Sequence, residues 1–268
     1  MKETEYFDAS EFTLRASIED THYWHVHRRA VLLQALKAFA PPETAGRLIE
    51  IGSGVGTVAT HFNEHGYLVD YADYFENALA IARERAVRRL GESAACQRRF
   101  VRIDATRPLD LGGYQGALLL DVIEHVPDDL LVLSNVREAL ADQANTFVMV
   151  TVPAFRFLWS PWDDIEKHKR RYTRRGLASV LDRAGLKLVH STYFFAPLFF
   201  AALGVRGLRV LRSAMGTRLE AQHIGGLWES KNVKILNRVV IDIHSPERWW
   251  LTRHGLPFGT SVLAIART

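Results

Sequence analysis

A chain of 268 residues with 48% hydrophobic and 24% charged residues can bury one sizeable core, which excludes a disordered, collagenous or coiled-coil protein. Lys and Arg outnumber Asp and Glu by only 34 to 30, so an anionic partner is permitted but not required, and a nucleic acid is not favoured. Cys96 is the single cysteine, which excludes an internal disulfide and suits a reducing, cytoplasmic compartment, and the acidic start MKETEYFDASEF is no signal peptide.

Thr21 to Ala40 begins THYWHVHRR and continues AVLLQALKAFA, whose apolar spacing predicts a helix stopped by Pro41 and Pro42. Leu48, Ile49 and Ile51 then predict the end of a buried strand, interrupted by the carboxylate of Glu50. Gly52, Gly54 and Gly56 follow at alternate positions, and VATHF begins a helical pattern. A strand, a glycine turn and a helix make the first unit of a doubly wound α/β sheet, which binds ligands at the carboxyl ends of its strands. A dinucleotide fingerprint, G-x-G-x-x-G, would need glycine at Thr57.

The third glycine stands at Gly56 instead, giving E-x-G-x-G-x-G. That pattern resembles the S-adenosylmethionine (SAM) motif of class I methyltransferases. The resemblance implies a Rossmann-like, doubly wound, seven-stranded and mostly parallel sheet. It also implies SAM as methyl donor, held by Glu50, Gly52, Ser53, Gly54 and Gly56. A helix before the first strand commonly covers the cofactor in this fold, which makes residues 1–45 a helical lid. His22, Tyr23, Trp24, Arg28 and Arg29 are similar to an H-aromatic-W-aromatic-x-x-R-R stretch of methyltransferases from bacterial sugar and polysaccharide gene clusters; His25 replaces the second aromatic. The likeness puts Trp24 and Arg28 at the cofactor, the arginine gripping the methionine carboxylate through a bidentate pair. A solvated basic face with a core tryptophan is the alternative.

YLVDYAD, Tyr67 to Asp73, reads as the second strand. Asp73 lies 21 residues after Gly52, where nucleoside-binding folds place an acid that accepts from ribose hydroxyls; Tyr74 is taken with it, and Asp70 is the alternative inside the strand. Asn77 to Leu90 predicts an arginine-rich helix, and Phe100 to Asp104 a short third strand. Asp104-Ala105 resembles the D-A pair that contacts adenine in this superfamily. Gly116 to Val122 predicts the fourth strand, and Asp128 or Asp129 caps a helix from Leu130 to Leu140. The run D-V-I-E-H-V is similar to the post-strand motif of small-molecule methyltransferases, which implies Asp121 and Val122 beside SAM and His125 facing the acceptor. Asn145 to Val152 predicts the fifth strand, halted by Pro153.

Ala154 to Arg175 is too aromatic for a linker and too charged for a core helix, and it occupies the place of a substrate loop. Its H-K-R-R-Y-T, together with V-P-A and W-S-x-W-D before it, again resembles the gene-cluster enzymes; His168 is either a site histidine or one member of a solvated basic run. A helix over Gly176 to Ala184, a sixth strand over Leu186 to Tyr193 and a last strand over Gly259 to Ala266 follow. The expected divisions are thus 1–45 as lid, 46–193 as SAM-binding core, 194–257 as helical insertion and 258–268 as last strand. The insertion opens with Phe194, Phe195, Phe199 and Phe200, continues through Arg206, Arg209 and Arg212, and later carries Trp228, Trp249 and Trp250. Its uncharged run is shorter than the ~20 residues of a membrane-spanning helix. It is expected to cap an apolar acceptor pocket. Membrane-surface contact through 194–218, with the protein then peripheral to a membrane, or a homodimer surface is the alternative. Every expected cofactor contact precedes Asp129, so the insertion is expected to serve the acceptor alone.

The function implied is SAM-dependent methyl transfer to a hydroxyl or amine of a small-molecule, lipid-linked or sugar-linked acceptor. His125 is the first choice of base and His168 the second, with Tyr172 orienting the acceptor. Small-RNA 3′-end 2′-O-methyltransferases and ubiquinone O-methyltransferases carry carboxylate-x-x-E-H and a later histidine, in some relatives around a divalent metal. Asp121, Glu124, His125 and His168 match that set, with Asp121 in place of a glutamate; a metal-free site is the preferred reading. An NAD-dependent oxidoreductase and a non-catalytic SAM-binding interaction protein are the competing classes.

Overall fold

Each run read as a strand joins one sheet in the computed structural model, which describes residues 12, 16, 18–141, 143–204, 233–251 and 254–268. The strands are β1 (Arg47–Ile51), β2 (Leu68–Asp73), β3 (Phe100–Arg102), β4 (Gly116–Leu120), β5 (Phe147–Pro153), β6 (Lys187–Phe194) and β7 (Ser261–Arg267). Their order is β3-β2-β1-β4-β5-β7-β6. The pairs β3–β2, β2–β1, β1–β4 and β4–β5 are parallel, and β7 runs antiparallel to β5 and β6. This is the doubly wound, mostly parallel sheet expected from the glycine turn. Every residue of β4 and β5 is buried, as strands covered on both faces require.

The helices are α1 (Tyr23–Phe39), α2 (Thr57–Glu64), α3 (Glu76–Leu90), α4 (Glu92–Cys96), α5 (Asp129–Leu140), α6 (Pro161–Ile165), α7 (Arg174–Arg183) and α8 (Val233–Leu251); residues 196–204 are also helical. Alternation along β1 sorts them into two layers. Leu48 joins Leu32 and Leu36 of α1, Phe62 of α2 and Ala82 of α3 on one face. Ile49 and Ile51 join Val132 and Val136 of α5 and Leu177 and Leu181 of α7 on the other.

Strand and helix ends differ from expectation by one or two residues where a local feature intervenes. β4 stops at Leu120 because Asp121 takes a φ of 60°, out of the extended region. Pro153 does not halt β5 but ends it, pairing with Ser261 while its carbonyl accepts from the Tyr172 N–H at 2.9 Å. Asp128 is the cap of α5, accepting from the Leu131 N–H at 2.9 Å.

The insertion between β6 and β7 is helical in its described parts, and α8 packs against α1. Arg206, Arg209, Arg212 and Trp228, and with them most of the expected membrane-facing stretch, lie outside the described residues, as does the side chain of Trp249. Among the described residues no helix is long and apolar enough to cross a membrane.

Asp70 braces the sheet from inside. It has no exposed surface, and its carboxylate accepts from Arg47 Nε at 2.7 Å, Arg47 Nη2 at 2.8 Å, Tyr114 Oη at 2.7 Å and the Arg99 N–H at 2.9 Å. Four donors from three segments make it a structural acid. Asp70→Ala should therefore lower unfolding free energy by about 3 kcal/mol, the low end for a buried pair because Arg47 retains some solvent. Urea denaturation checks this, and an unchanged midpoint would contradict the bracing role.

Candidate active site

The turn after β1 owes its shape to its glycines. Gly52, Gly54 and Gly56 have φ of 76°, 53° and 76°, a region costly for any residue with a Cβ. A Cβ on Gly52 would stand 2.5 Å from Val122 Cγ2, and one on Gly56 2.8 Å from Ala82 Cβ. These two glycines let the turn close against the end of β4 and against α3. Gly54 differs, since a Cβ there would meet nothing within 4 Å. Its face is open, and its N–H donates to Asp73 Oδ2 at 2.7 Å. Asp73 Oδ1 accepts from the Phe75 N–H at 2.9 Å. Burial raises the Asp73 carboxyl pKa, opposed by these backbone donors. Ser53 places its Oγ in the interior without a hydrogen-bond partner.

Four more expected residues follow the neighbouring strands. Tyr74 succeeds Asp73 at the end of β2, with the Arg102 guanidinium 5.4 Å from its ring centroid. Asp104 follows β3 and accepts at Oδ1 from the Thr106 N–H at 3.0 Å and its Oγ at 2.6 Å. The Ala105 carbonyl accepts from Asn135 Nδ2 at 3.0 Å. Val122 abuts Gly52 from β4. All belong to the carboxyl ends of strands, the side on which open α/β sheets bind ligands.

Glu50 lies behind the turn and accepts from the Ala59 N–H in the first turn of α2 at 2.8 Å. Burial pushes its carboxyl up to about 8, against the pull of Arg28. Arg28 comes from α1 and is 7% exposed. Its Nη2 lies 2.8 Å from Asp121 Oδ2, its Nε has no partner, and its guanidinium stands 5.3 Å from the Trp24 ring centroid. Asp121 Oδ1 accepts from Thr151 Oγ1 at 3.0 Å.

The sequence stretch around α1 thus divides its labour. His22 caps the helix, accepting from the Trp24 N–H at 3.3 Å. Arg29 donates to the carbonyls of Glu19 and Asp20, each at 3.0 Å, and holds the preceding turn. Trp24 stacks on Phe195 with centroids 5.6 Å apart and planes at 11°. The sequence places the insertion on the acceptor side; the structure seats its Phe195 against α1.

A second cluster joins the segments after β4 and β5. The His125 and His168 rings are 4.8 Å apart at 69°. His168 Nδ1 is 2.8 Å from Asp163 Oδ1. Asp163 is fully buried and accepts from Arg171 Nε at 2.7 Å and Nη2 at 2.9 Å, and from the Ser160 N–H at 2.8 Å. Burial works to raise its pKa, but His168 and Arg171 outweigh it and hold the carboxyl well below its ordinary range. An ionised Asp163 takes a proton donor at His168 Nδ1, which leaves Nε2 of the neutral ring as an acceptor.

Glu124 is fully buried, and neither carboxylate oxygen has a hydrogen-bond partner. Burial and the neighbouring Asp121 push its pKa well up. Ligand atoms of Glu124, His125 and His168 lie within 4.8 Å of one another. Asp121, the fourth expected ligand, stands with Arg28 and Thr151 instead. Tyr172 is buried and donates its hydroxyl to Asp129 at 2.6 Å, and Asp129 also holds Arg170 at 2.8 Å. That geometry makes Tyr172 a brace between the loop and α5.

Asp163 closes the W-S-x-W-D run of the sequence, where it carries no assigned role. Its signal was present in Ser160-Pro161-Trp162-Asp163, the capping box that starts α6.

A family model described as a methyltransferase domain matches residues 23–191, a stretch that holds the glycine turn and both histidines. No curated protein matches the chain. Among solved structures, a Haloferax volcanii chain from the complex of the Trm112 methyltransferase activator with a methyltransferase is similar at a TM-score of 0.59. It is 13% identical, over 97% of this chain and 93% of that one. Phosphoethanolamine N-methyltransferase 2 of Haemonchus contortus, solved with SAM, is similar at a TM-score of 0.53 and 17% identity, over 87% of this chain and 51% of that one. At these identities the structural likeness speaks for the fold. With the family match spanning more than half of its length, the chain belongs to the methyltransferase-domain family and is a SAM-dependent methyltransferase of class I.

Proposed function

We propose that the chain methylates a hydroxyl of a small-molecule acceptor with an apolar part, with His168 as the base and Asp163 as its orienting carboxylate. The observation that carries this reading is the 2.8 Å contact between a fully buried Asp163 and His168, with His125 alongside.

Bound SAM supplies a methyl carbon activated by its sulfonium. The chain's task is then to align a nucleophile and remove its proton. The backbone of Gly52 to Gly56 would hold the donor, with Gly54 offering an open face. Asp73 would take the ribose hydroxyls, and Asp104 and Ala105 the adenine. Asp73 accepts backbone N–H groups of Gly54, Tyr74 and Phe75, and the roughly four lone-pair sites of a carboxylate leave room for a hydroxyl donor. Arg28 keeps an unpartnered Nε while it holds Asp121, which suits it to the methionine carboxylate. Acids clustered at this edge also suit a sulfonium cation.

The two histidines exchange rank relative to the sequence expectation. His168 has a buried carboxylate that fixes its ring and tautomer. His125 presents its ring to it and serves as the second wall for the acceptor.

An aromatic cluster supports an apolar acceptor. Phe155 stacks on Tyr193 at 4.9 Å and meets Phe199 at 5.5 Å, and Phe199 stacks on Phe258 at 5.6 Å. These rings come from the ends of β5 and β6, from the insertion and from the approach to β7. Phe157 and Phe200, at the rim, are 50% and 56% exposed, available to an aromatic or lipid-linked molecule.

The grouping of Glu124, His125 and His168 favours one second reading, a divalent cation that polarises the acceptor hydroxyl. One carboxylate and two imidazoles suit such an ion, both Glu124 oxygens lack other partners, and Asp163 would then orient a ligand histidine.

Gly54→Val should abolish SAM binding in calorimetry while the far-ultraviolet dichroism stays native; wild-type affinity would exclude the turn. Asp73→Ala should weaken SAM by about 1–3 kcal/mol, whereas the folded fraction of Asp70→Ala should bind nearly as tightly as wild type. The reverse ranking would misplace the ribose acceptor.

His168→Ala and Asp163→Asn should lower the turnover number by about 100-fold or more at saturating acceptor, with SAM affinity retained. A larger loss in His125→Ala would move the base to His125. Dialysis against EDTA should leave the rate unchanged; loss of rate restored by Mn²⁺ or Mg²⁺ would establish the metal reading instead.

A further inference from the structure

His27 precedes Arg28 on α1. Successive helical residues point about 100° apart, so the two side chains serve different neighbours. Arg28 reaches Asp121 beside β4. His27, 1% exposed, turns toward the insertion, where its Nε2 lies 2.7 Å from Glu247 Oε2. Glu247 is also buried, and its other oxygen accepts from the Ala196 N–H at 2.9 Å, at the start of the helical residues 196–204. One carboxylate on α8 therefore ties α1 and the segment after β6 to each other.

The surroundings make this tie directional. The His27 ring is 5.0 Å from Phe195 and 4.9 Å from His244, which lies one turn before Glu247 on α8. Phe195 in turn stacks on Trp24. Phe195 has a φ of 64°, a conformation costly for an aromatic residue and kept only where its surroundings hold it. A buried carboxylate and imidazole in such a setting lose far more by separation than a surface pair would.

We infer that Glu247 and His27 are positioning residues for the cofactor site, through which the insertion between β6 and β7 sets α1 and so places Trp24 and Arg28. The inference rests on the reading above that Arg28 faces the methionine end of SAM. A helix advances 1.5 Å per residue, so slippage of one residue would carry the guanidinium away from its 2.8 Å contact with Asp121. The insertion, expected from sequence to serve the acceptor alone, then controls donor affinity as well.

The test is a double-mutant cycle on the full chain, with S-adenosylhomocysteine as the calorimetric probe. Glu247→Ala and Arg28→Ala should each raise Kd about tenfold, and the double variant should bind no more weakly than Arg28→Ala alone, because Glu247 acts through Arg28. Glu247→Gln should restore affinity to within about threefold, since its amide oxygen can accept from Ala196 and its amide nitrogen can donate to His27 Nε2 once the ring carries its proton on Nδ1. A role in folding alone would lower the melting temperature without changing the Kd of the folded protein. If Glu247→Ala does not fold, Glu247→Leu keeps the side-chain bulk and removes both hydrogen bonds. Wild-type affinity in the folded Glu247 variant, beside weakened Arg28→Ala, would overturn the inference and leave the cofactor reading standing. Additive penalties would overturn it too. Wild-type affinity in Arg28→Ala would remove the cofactor reading and the inference together.

Discussion

One guanidinium balances the acid-rich edge of this sheet. Glu50, Asp121 and Glu124 converge near the ends of β1 and β4, and the Arg28 guanidinium is set among them. Two unit charges 4 Å apart interact by about 4 kcal/mol at an effective dielectric constant near 20, so its place bears on the charge of Glu50 and Glu124. Burial drives Glu50 and Glu124 toward the neutral form, and Arg28 opposes that for both. The location is no accident of packing. β1 lies between β2 and β4, where the strand order reverses, and doubly wound sheets open a crevice there.

Arg28 does not belong to the sheet, so the balance depends on how α1 is held. His22 caps its start, Arg29 grips the preceding turn, and His27 meets α8. The cluster around His125 and His168 is built on the same plan, with a buried acid at its centre. Asp163 gathers Ser160, His168 and Arg171, and the Lys169 N–H donates to the Glu124 carbonyl at 2.8 Å, which fastens the loop after β5 to the segment after β4. Arg28 and the histidine cluster thus have separate supports that meet at Asp121 and Glu124, and under the proposed function a methyl group passing between them needs both supports in register.

The glycine turn and the acid bonded to it were largely legible in the sequence, because their signals are local. Alternate glycines encode a left-handed turn directly, and the count from Gly52 to Asp73 separated the acid that bonds the turn from Asp70, which braces the sheet. The end of β4 was misread by two residues because nothing in GALLLDV announces that Asp121 leaves the extended region. The histidine cluster was legible as a list of residues but not as an arrangement. His125 and His168 were named, yet the pairing of His168 with Asp163 follows from an irregular turn that hydrophobic periodicity does not report. Tyr172 was given the acceptor because it lies in a conspicuous motif, while its hydroxyl goes to Asp129. The bond between His27 and Glu247 spans 220 positions, and only the folded packing of α8 on α1 brings the two together.

The most direct measurement is a crystal structure of the chain with S-adenosylhomocysteine. The ligand is expected at the switch point, its ribose on Asp73, its adenine by Asp104 and Ala105, and its amino-acid end between Gly54 and Arg28, with the sulfur facing the His125–His168 side. Ligand bound elsewhere on the sheet, or bound there without contact to the Gly52–Gly56 turn, would contradict this assignment of the site.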